Sequence, residues 1–309
     1  MPDVDMQIAP VPARHRRMAM GFVAAGRDSG YMAAQRASAL RRLFDSRVGE
    51  AWLWWVRQWG RCQAAAMILA GAGRTGMLYY SPPGAPGVDE ESLTTLLATL
   101  APAAMAEGPL SLVQAACSPE DHRDVDLLRG AGFELLAELI YMRLDLATPP
   151  EEFEEPAIVW RRYGQFTQDQ LAAVIKASYE QSLDCPPLRG RRQIADVIAG
   201  HKASGAFSPK SWWIAFIDEV PAGCVLVNAS HDGLGADVVY LGVAAAARGK
   251  GLGRKLLSRA AAQAYMSGYQ CLTLAVDAGN TYAMRLYQDA GFREQYRRVT
   301  YAMFPLEKL

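Results

Sequence analysis

The chain has few of the residues that build metal centres or disulfide frameworks: five cysteines and four histidines in 309 residues. Cys62, Cys117, Cys185, Cys224 and Cys271 contain no C-x-x-C pair, and His15, His122, His201 and His231 make no H-x-x-x-H pattern. Neither a structural metal nor a disulfide framework is expected from such spacings. Net charge is lacking as well. Thirty-two basic side chains against thirty-two acidic ones sum to zero. That removes the global electrostatic footprint of a nucleic-acid-binding or membrane-surface protein, so any anion must be bound locally. The opening MPDVDMQIAP has neither the cationic start nor the apolar core of a signal peptide. No apolar run reaches the roughly 20 residues of a membrane span. The expectation is a cytoplasmic protein that contacts neither nucleic acid nor membrane.

What is present is ordinary globular material, 51% hydrophobic and 21% charged, long enough for two domains of roughly 150 residues each. The stretch ATPPEEFEEPAIVW, rich in proline and acid and without apolar periodicity, reads as a linker and divides the chain into residues 1–152 and 153–309. In the right half, periodicity predicts the order β-α-α-β-β-β-α-β-α-β-β, from the strand AIVWRRY to a final strand pair through VTYAMFPL. The left half repeats the end of that pattern. DLLRGAGFELLAELIYMRLDL lies over RLYQDAGFREQYRRVTYAMFPL, with Gly132 against Gly291, an offset of 291 − 132 = 159 residues. The copies are unequal. Where the right half has ARGKGLGRK, the left has PPGAPGVDEES, with prolines in place of N–H donors and acid in place of base.

The glycine-rich turn runs straight into a helix whose apolar face is Leu252, Leu256, Leu257, Ala260, Ala261 and Ala264. A helix N-terminus offers unpaired N–H groups and a partial positive charge, so it suits a phosphate. Glycines at 249, 251 and 253 let a bulky anion approach the main chain, and Arg248, Lys250, Arg254 and Lys255 add charge. The glycine spacing fits neither a dinucleotide fingerprint nor a P-loop. Among the cysteines, Cys117, Cys224 and Cys271 lie in strand-like runs where a thiol packs as a small hydrophobe. Cys185, in SLDCPPLRG, is the only one whose surroundings suggest exposure, and no histidine is near it in sequence.

The series Val243, Arg248, Gly249, Gly251 and Gly253, an amphipathic helix, and then Asn280, Ala283, Leu286, Tyr287, Gly291 and Phe292 closely resembles the GNAT superfamily of acyl-CoA-dependent N-acetyltransferases. Two tandem copies with an active C-terminal one resemble the mycothiol synthases, whose strand E-V-Y-V-V-G-V is similar to D-V-V-Y-L-G-V here. The resemblance implies a mixed-sheet α/β fold of two GNAT-like domains, the N-terminal one degenerate. It implies acetyl-CoA as co-substrate, no metal, and a small-molecule or peptide primary amine attacking the thioester directly in a ternary complex. An acyl-CoA sensor without turnover is the alternative, as is acetylation of a thiol-precursor or protein N-terminal amine.

Residue by residue, the resemblance puts the diphosphate on the backbone of Arg248, Gly249, Lys250, Gly251, Leu252, Gly253 and Arg254. The pantetheine arm falls on Leu241, Gly242 and Val243, with Gly242 at a bulge. Tyr287 matches the general acid, and its left-half counterpart Leu128 cannot donate a proton. Asn280, seven residues before Tyr287, is expected within about 20° of it on one helical face, so that both line the coenzyme site. Asp237 matches the catalytic carboxylate, as base or ammonium anchor, and strand alternation sets it on the face of Val239, Leu241 and Val243. Tyr179, Glu180 and Asp184 are further candidates to meet a cationic amine, and Arg189, Arg191 and Arg192 to meet an acidic group.

Overall fold

The computed structural model of the protein describes residues 6–24, 44, 51–150, 157–230 and 233–305. The centre of the linker, residues 151–156, lies outside the described residues, as does His231. Two compact units emerge: Ala137–Arg298, and Met1–Leu136 together with Val299–Leu309. The units therefore do not part at residue 152. Strand β6 (Glu134–Asp145), upstream of the linker, pairs antiparallel through residues 139–145 with β11 (Cys271–Asp277) in the unit of residues 137–298. Residues 299–303 of β12 (Arg293–Met303) pair with β5 (Leu112–Cys117) in the other unit. Compactness follows strand pairing rather than the composition of the linker, because the ladder satisfies the backbone polar groups that burial would strand. The expected final strand pair is accordingly one strand, β12.

In the unit of residues 137–298 the sheet order is β6, β11, β10 (Gly235–Val243), β9 (Val220–Ala229), β8 (Trp212–Ile217) and β7 (Val159–Arg162). One face packs against α6 (Leu252–Met266) and α7 (Thr281–Asp289), with Val225, Val227, Val238, Leu256 and Leu274 in its core. The other face packs against α4 (Gln168–Tyr179) and α5 (Ile194–Ala203) around Trp212, Phe216, Cys224 and Leu226. All six apolar positions of the predicted α6 face are buried. Helix α4 starts on a reciprocal capping box in which Thr167 and Gln170 satisfy each other's backbone amides. Gly223 sets how near α6 comes to the sheet. A Cβ there would sit 2.9 Å from Leu256 Cδ1 and 3.2 Å from Leu252 Cδ2.

The other unit holds β1 (Gln7–Pro10), β2 (Ala51–Gln58), β3 (Arg61–Gly71), β4 (Thr75–Tyr80) and β5, in that order. Helices α2 (Glu90–Glu107) and α3 (His122–Gly130) cover one face and α1 (Arg16–Ala24) the other. The internal repeat is visible in atomic detail. Gly132 and Gly291 both take a positive φ, and Phe133 and Phe292 donate to the carbonyls of Leu128 and Tyr287, closing α3 and α7 in the same way.

Candidate active site

The site grows from a defect in the sheet. Strands β10 and β11 run parallel but pair only at Gly235–Cys271, Ala236–Leu272 and Asp237–Thr273. Beyond Asp237, β10 pairs only with β9, and beyond Thr273, β11 pairs only with β6. The two strands splay apart, so each leaves a backbone edge facing the gap. Ala244 N donates to Ala222 O at 2.9 Å, and by alternation Gly242 also turns its amide to β9 while Leu241 and Val243 present theirs to the gap. A bulge accompanies the splay, but at Val239 rather than at Gly242, whose register with Cys224 is regular. Gly242 is glycine for another reason. A Cβ there would lie 2.7 Å from Ser178 Oγ and 2.8 Å from Tyr240 Cε1, so it is where α4 packs on the strand.

The bulge also moves Asp237. With one extra residue in β10, Asp237 shares the α4–α5 face with Val239 and Tyr240, while Leu241 and Val243 lie on the α6 face. Simple alternation had put all four together. The Asp237 carboxylate accepts a hydrogen bond from the Thr273 hydroxyl at the closed end of the splay.

At the end of β10 the chain enters the glycine turn. Gly249 and Gly251 have φ of +77° and +74°, and nothing lies within 4 Å of a Cβ built on either. Gly251 is the N-cap of α6 and no side chain caps it. Lys255 N reaches Gly251 O at 3.3 Å, whereas the amides of Gly249, Lys250, Gly251, Leu252 and Gly253 take no hydrogen-bond acceptor among the described residues. Five unpaired donors at a helix N-terminus form a cradle for an anion. Arg248 belongs to its frame rather than its floor. Its amide donates to Ala245 O at 3.3 Å, and its guanidinium donates to Val243 O at 3.2 Å and Ser178 O at 2.7 Å, tying the turn to the end of α4. Gly253 packs against Leu286 of α7, 3.3 Å from its would-be Cβ.

Helix α7 carries Tyr287, 7% exposed, with its ring 5.8 Å from that of Phe292. Its hydroxyl makes no hydrogen bond among the described residues. Burial first, and the nearby Asp184 carboxylate second, raise its pKa well above that of an ordinary phenol. Asn280 is not on the helix. It is the N-cap, its Oδ1 accepting from Ala283 N at 3.2 Å, so the expected common face with Tyr287 does not exist.

Sequence reasoning missed Asp277 at the end of β11. It is 7% exposed, and its carboxylate accepts from Gly279 N at 2.8 Å and from Cys185 N at 2.9 Å. Its signal was an acid closing an otherwise apolar strand, CLTLAVD. Cys185 takes a left-handed φ of +38°. It is half-buried, as is Cys62, so it is not alone in being partly open, while Cys117, Cys224 and Cys271 are buried as expected. Burial, then Asp184 and Asp277, push the Cys185 thiol up to about 12, which keeps it neutral. Among the described residues no group of three or more His, Cys, Asp or Glu side chains could hold a metal ion.

The corresponding turn in the other unit spends its donors internally. Ala85 N bonds Pro82 O, Val88 N bonds Ala85 O and Asp89 N bonds Gln63 O. The Asp89 carboxylate caps α2 through Ser92 N at 2.8 Å, so a fixed negative charge occupies the helix N-terminus. A Cβ on Gly84 would fall 2.0 Å from Arg123 Nη1, which fills what remains of the turn. Leu128, opposite Tyr287 in the repeat, is fully buried.

Residues 177–292 match the acetyltransferase (GNAT) family. Over 79 residues the chain is 38% identical to a mycothiol acetyltransferase of Jonesia denitrificans, which covers 26% of this chain and 25% of that one. The chain thus spans about a quarter of the length of the curated relative it matches. In fold it is similar to a GCN5-related N-acetyltransferase from Sphaerobacter thermophilus, with TM-score 0.62 and 18% identity over 98% of both chains. It is also similar to a tandem GNAT protein from the clavulanic acid biosynthesis pathway, with TM-score 0.54 and 15% identity over 99% and 100% of the two chains. The match over residues 177–292 is thus to the GNAT acetyltransferases, in a chain whose fold is similar to that of a tandem GNAT protein.

Proposed function

We propose that the protein is an N-acetyltransferase that uses acetyl-CoA to acetylate a primary amine, with the chemistry confined to the unit of residues 137–298. The observation that carries this reading is the row of unpaired amides from Gly249 to Gly253 above α6. These donors suit a diphosphate, and the open space at Gly249 and Gly251 admits one. Lys250 and Arg254 add charge at the rim. The edge of β10 offers the N–H and C=O of Leu241 and the N–H of Val243, whose carbonyl Arg248 already holds, to an amide-bearing pantetheine arm. Bound there, the coenzyme supplies an activated acetyl thioester. An N–H of β10 polarises its carbonyl.

The acceptor nitrogen attacks with its lone pair, the carbon–sulfur bond breaks, and Tyr287 gives its hydroxyl proton to the departing sulfur. A proton shed by the new amide nitrogen restores the phenol. Burial raises the proton affinity of Tyr287, and the same burial raises that of a thiolate beside it, which favours protonation of the leaving sulfur. Asp237, on the α4–α5 face, is one carboxylate available to an incoming ammonium. The other unit, its cradle filled by Asp89 and Arg123, carries no turnover. A cytoplasmic setting suits both co-substrates, and among the described residues no helix is long and apolar enough to cross a membrane.

Calorimetric titration with coenzyme A tests the reading, followed by a free-thiol assay with acetyl-CoA over a panel of primary amines that includes a mycothiol-type thiol precursor. One coenzyme per chain and amine-dependent thiol release are expected. No heat and no thermal shift at millimolar coenzyme refutes it. The unpartnered Tyr287 hydroxyl favours an enzyme over a sensor, since a pure binding site has no use for a buried donor left free.

A further inference from the structure

On the α4–α5 side of the unit of residues 137–298, the two helices pack on β8, β9 and β10. Strands β11 and β6 turn residues to the same side, and alternation identifies them. Leu272, Leu274 and Val276 of β11 and Ile140 and Met142 of β6 lie in the α6–α7 core. Thr273, Ala275 and Asp277, with Leu139, Tyr141 and Arg143, therefore face the other way. The register makes them cross-strand neighbours: Thr273 beside Arg143, Ala275 beside Tyr141, Asp277 beside Leu139.

Tyr141 stacks on Tyr296 of β12, with ring centroids 4.5 Å apart and planes 18° from parallel. Arg298 lies over the Tyr296 ring at 5.1 Å. A row thus crosses the sheet: Tyr296, Tyr141, Ala275 and then the β10–β11 gap, on strands about 4.8 Å apart. Tyr296 takes one face of the Tyr141 ring. On the other side the neighbour is Ala275, a single exposed methyl at the edge of the gap. A ring wall above a methyl floor makes a slot of the kind a flat group fills, because stacked rings gain more than their buried area alone provides.

The internal repeat supplies an independent comparison. At its offset of 159 residues, Tyr141 corresponds to Thr300 and Ala275 to Ala116, and Thr300 pairs with Ala116 in β12 and β5 as Tyr141 pairs with Ala275. Tyr296 corresponds to Ala137. The alanine floor is present in both units, whereas both rings of the stack occur only in the unit that carries the anion cradle and Tyr287.

We propose that Tyr141 and Ala275 form a slot for an aromatic ring on the acceptor, so that the acceptor is an arylalkyl primary amine and these two residues set its selectivity. This deepens the acetyl-transfer reading and rests on it. The cradle lies at the start of α6, and a thioester held in the gap is reached by the acceptor from the Ala275 side. Leu139, Tyr141 and Ala275 are poor company for hydroxyls, which would lose water without finding partners. The Asp277 carboxylate already accepts from Gly279 N and Cys185 N. Tyr141 belongs to β6, upstream of the linker, so the first repeat contributes a wall to the site although its own turn holds no cradle.

The test measures thiol release from acetyl-CoA with phenethylamine, n-butylamine and glucosamine in wild type, Tyr141→Phe, Tyr141→Ala and Ala275→Ile. Calorimetry on the same proteins gives Kd for coenzyme A, and for each amine with coenzyme A bound. Isoleucine suits a strand position, so Ala275→Ile keeps the fold while filling the slot. In wild type, kcat/KM for phenethylamine should exceed that for n-butylamine at least about tenfold. That ratio should hold in Tyr141→Phe and fall to within about twofold of unity in Tyr141→Ala and Ala275→Ile, with coenzyme Kd unchanged. A merely structural role would lower both rates together and leave the ratio alone. Where no amine turns over, the same ratio is read from the amine Kd values. A ratio that survives both Tyr141→Ala and Ala275→Ile, or a wild type that favours n-butylamine or glucosamine, overturns the proposal and leaves the coenzyme reading intact. Absence of coenzyme heat in wild type removes both.

Discussion

Replacing Tyr287 by phenylalanine separates chemistry from packing, because the two roles of this side chain predict opposite consequences. The ring stays where it is, 5.8 Å from Phe292 and within the apolar core on the α6–α7 face. The hydroxyl has no hydrogen-bond partner to lose. A buried donor left unsatisfied costs about 1–3 kcal/mol, so its removal is neutral or stabilising. For a unit of this size each kcal/mol moves Tm by about 2–4 °C, and the variant is expected to melt at or slightly above the wild-type temperature. Turnover should move the other way. Loss of a general acid lowers kcat about 100- to 10,000-fold, equivalent to roughly 3–5 kcal/mol of transition-state stabilisation. The assay is thiol release at saturating acetyl-CoA, with Tm and coenzyme Kd measured on the same preparation. In wild type the rate should show no alkaline loss up to pH about 10, since Tyr287 titrates above the ordinary phenol value. A variant that keeps its rate within twofold refutes the acid role. One that loses more than about 2 kcal/mol of stability shows instead that the hydroxyl was bonded.

Three further substitutions check the frame of the site. Gly251→Val forces a branched residue to a φ of +74°, costing about 1–2 kcal/mol in stability. It also crowds the cradle, so calorimetry should give a coenzyme Kd raised at least about tenfold; an unchanged Kd means the anion binds elsewhere. Gly242→Ala places a Cβ 2.7 Å from Ser178 Oγ. It should lower the urea midpoint by the equivalent of about 1–3 kcal/mol with the slope unchanged, whereas a neutral result means α4 is not packed on β10 as described. Asn280→Ala removes the N-cap of α7 and should cost about 1 kcal/mol with coenzyme Kd within twofold of wild type; a tenfold weaker Kd would restore Asn280 to the coenzyme site.

Local chemistry was legible in the sequence because it depends on neighbours within a turn or two. The glycine turn, the apolar face of α6 and the matching ends of α3 and α7 are all set by residues close along the chain, where backbone freedom and helical periodicity act. The inequality of the two repeats was equally plain, since Asp89 and the prolines of PPGAPG state their charge and lost donors directly. Misreadings came where a single residue changes register. One extra residue at Val239 carried Asp237 to the face opposite Leu241, which no alternation rule could anticipate. Asn280 was placed one residue too far into its helix, a boundary that only the Ala283 amide reveals.

By itself, then, the sequence determined a glycine-rich helix start, a tyrosine two elements later and a second copy without either. Tertiary structure decided which groups face them. The β10–β11 splay, the exchange of β6 and β12 between compact units and the anchoring of Cys185 by Asp277 across 92 residues arise from pairings between distant segments. Those are chosen by the total burial and hydrogen bonding of the folded chain, a sum that no stretch of sequence contains.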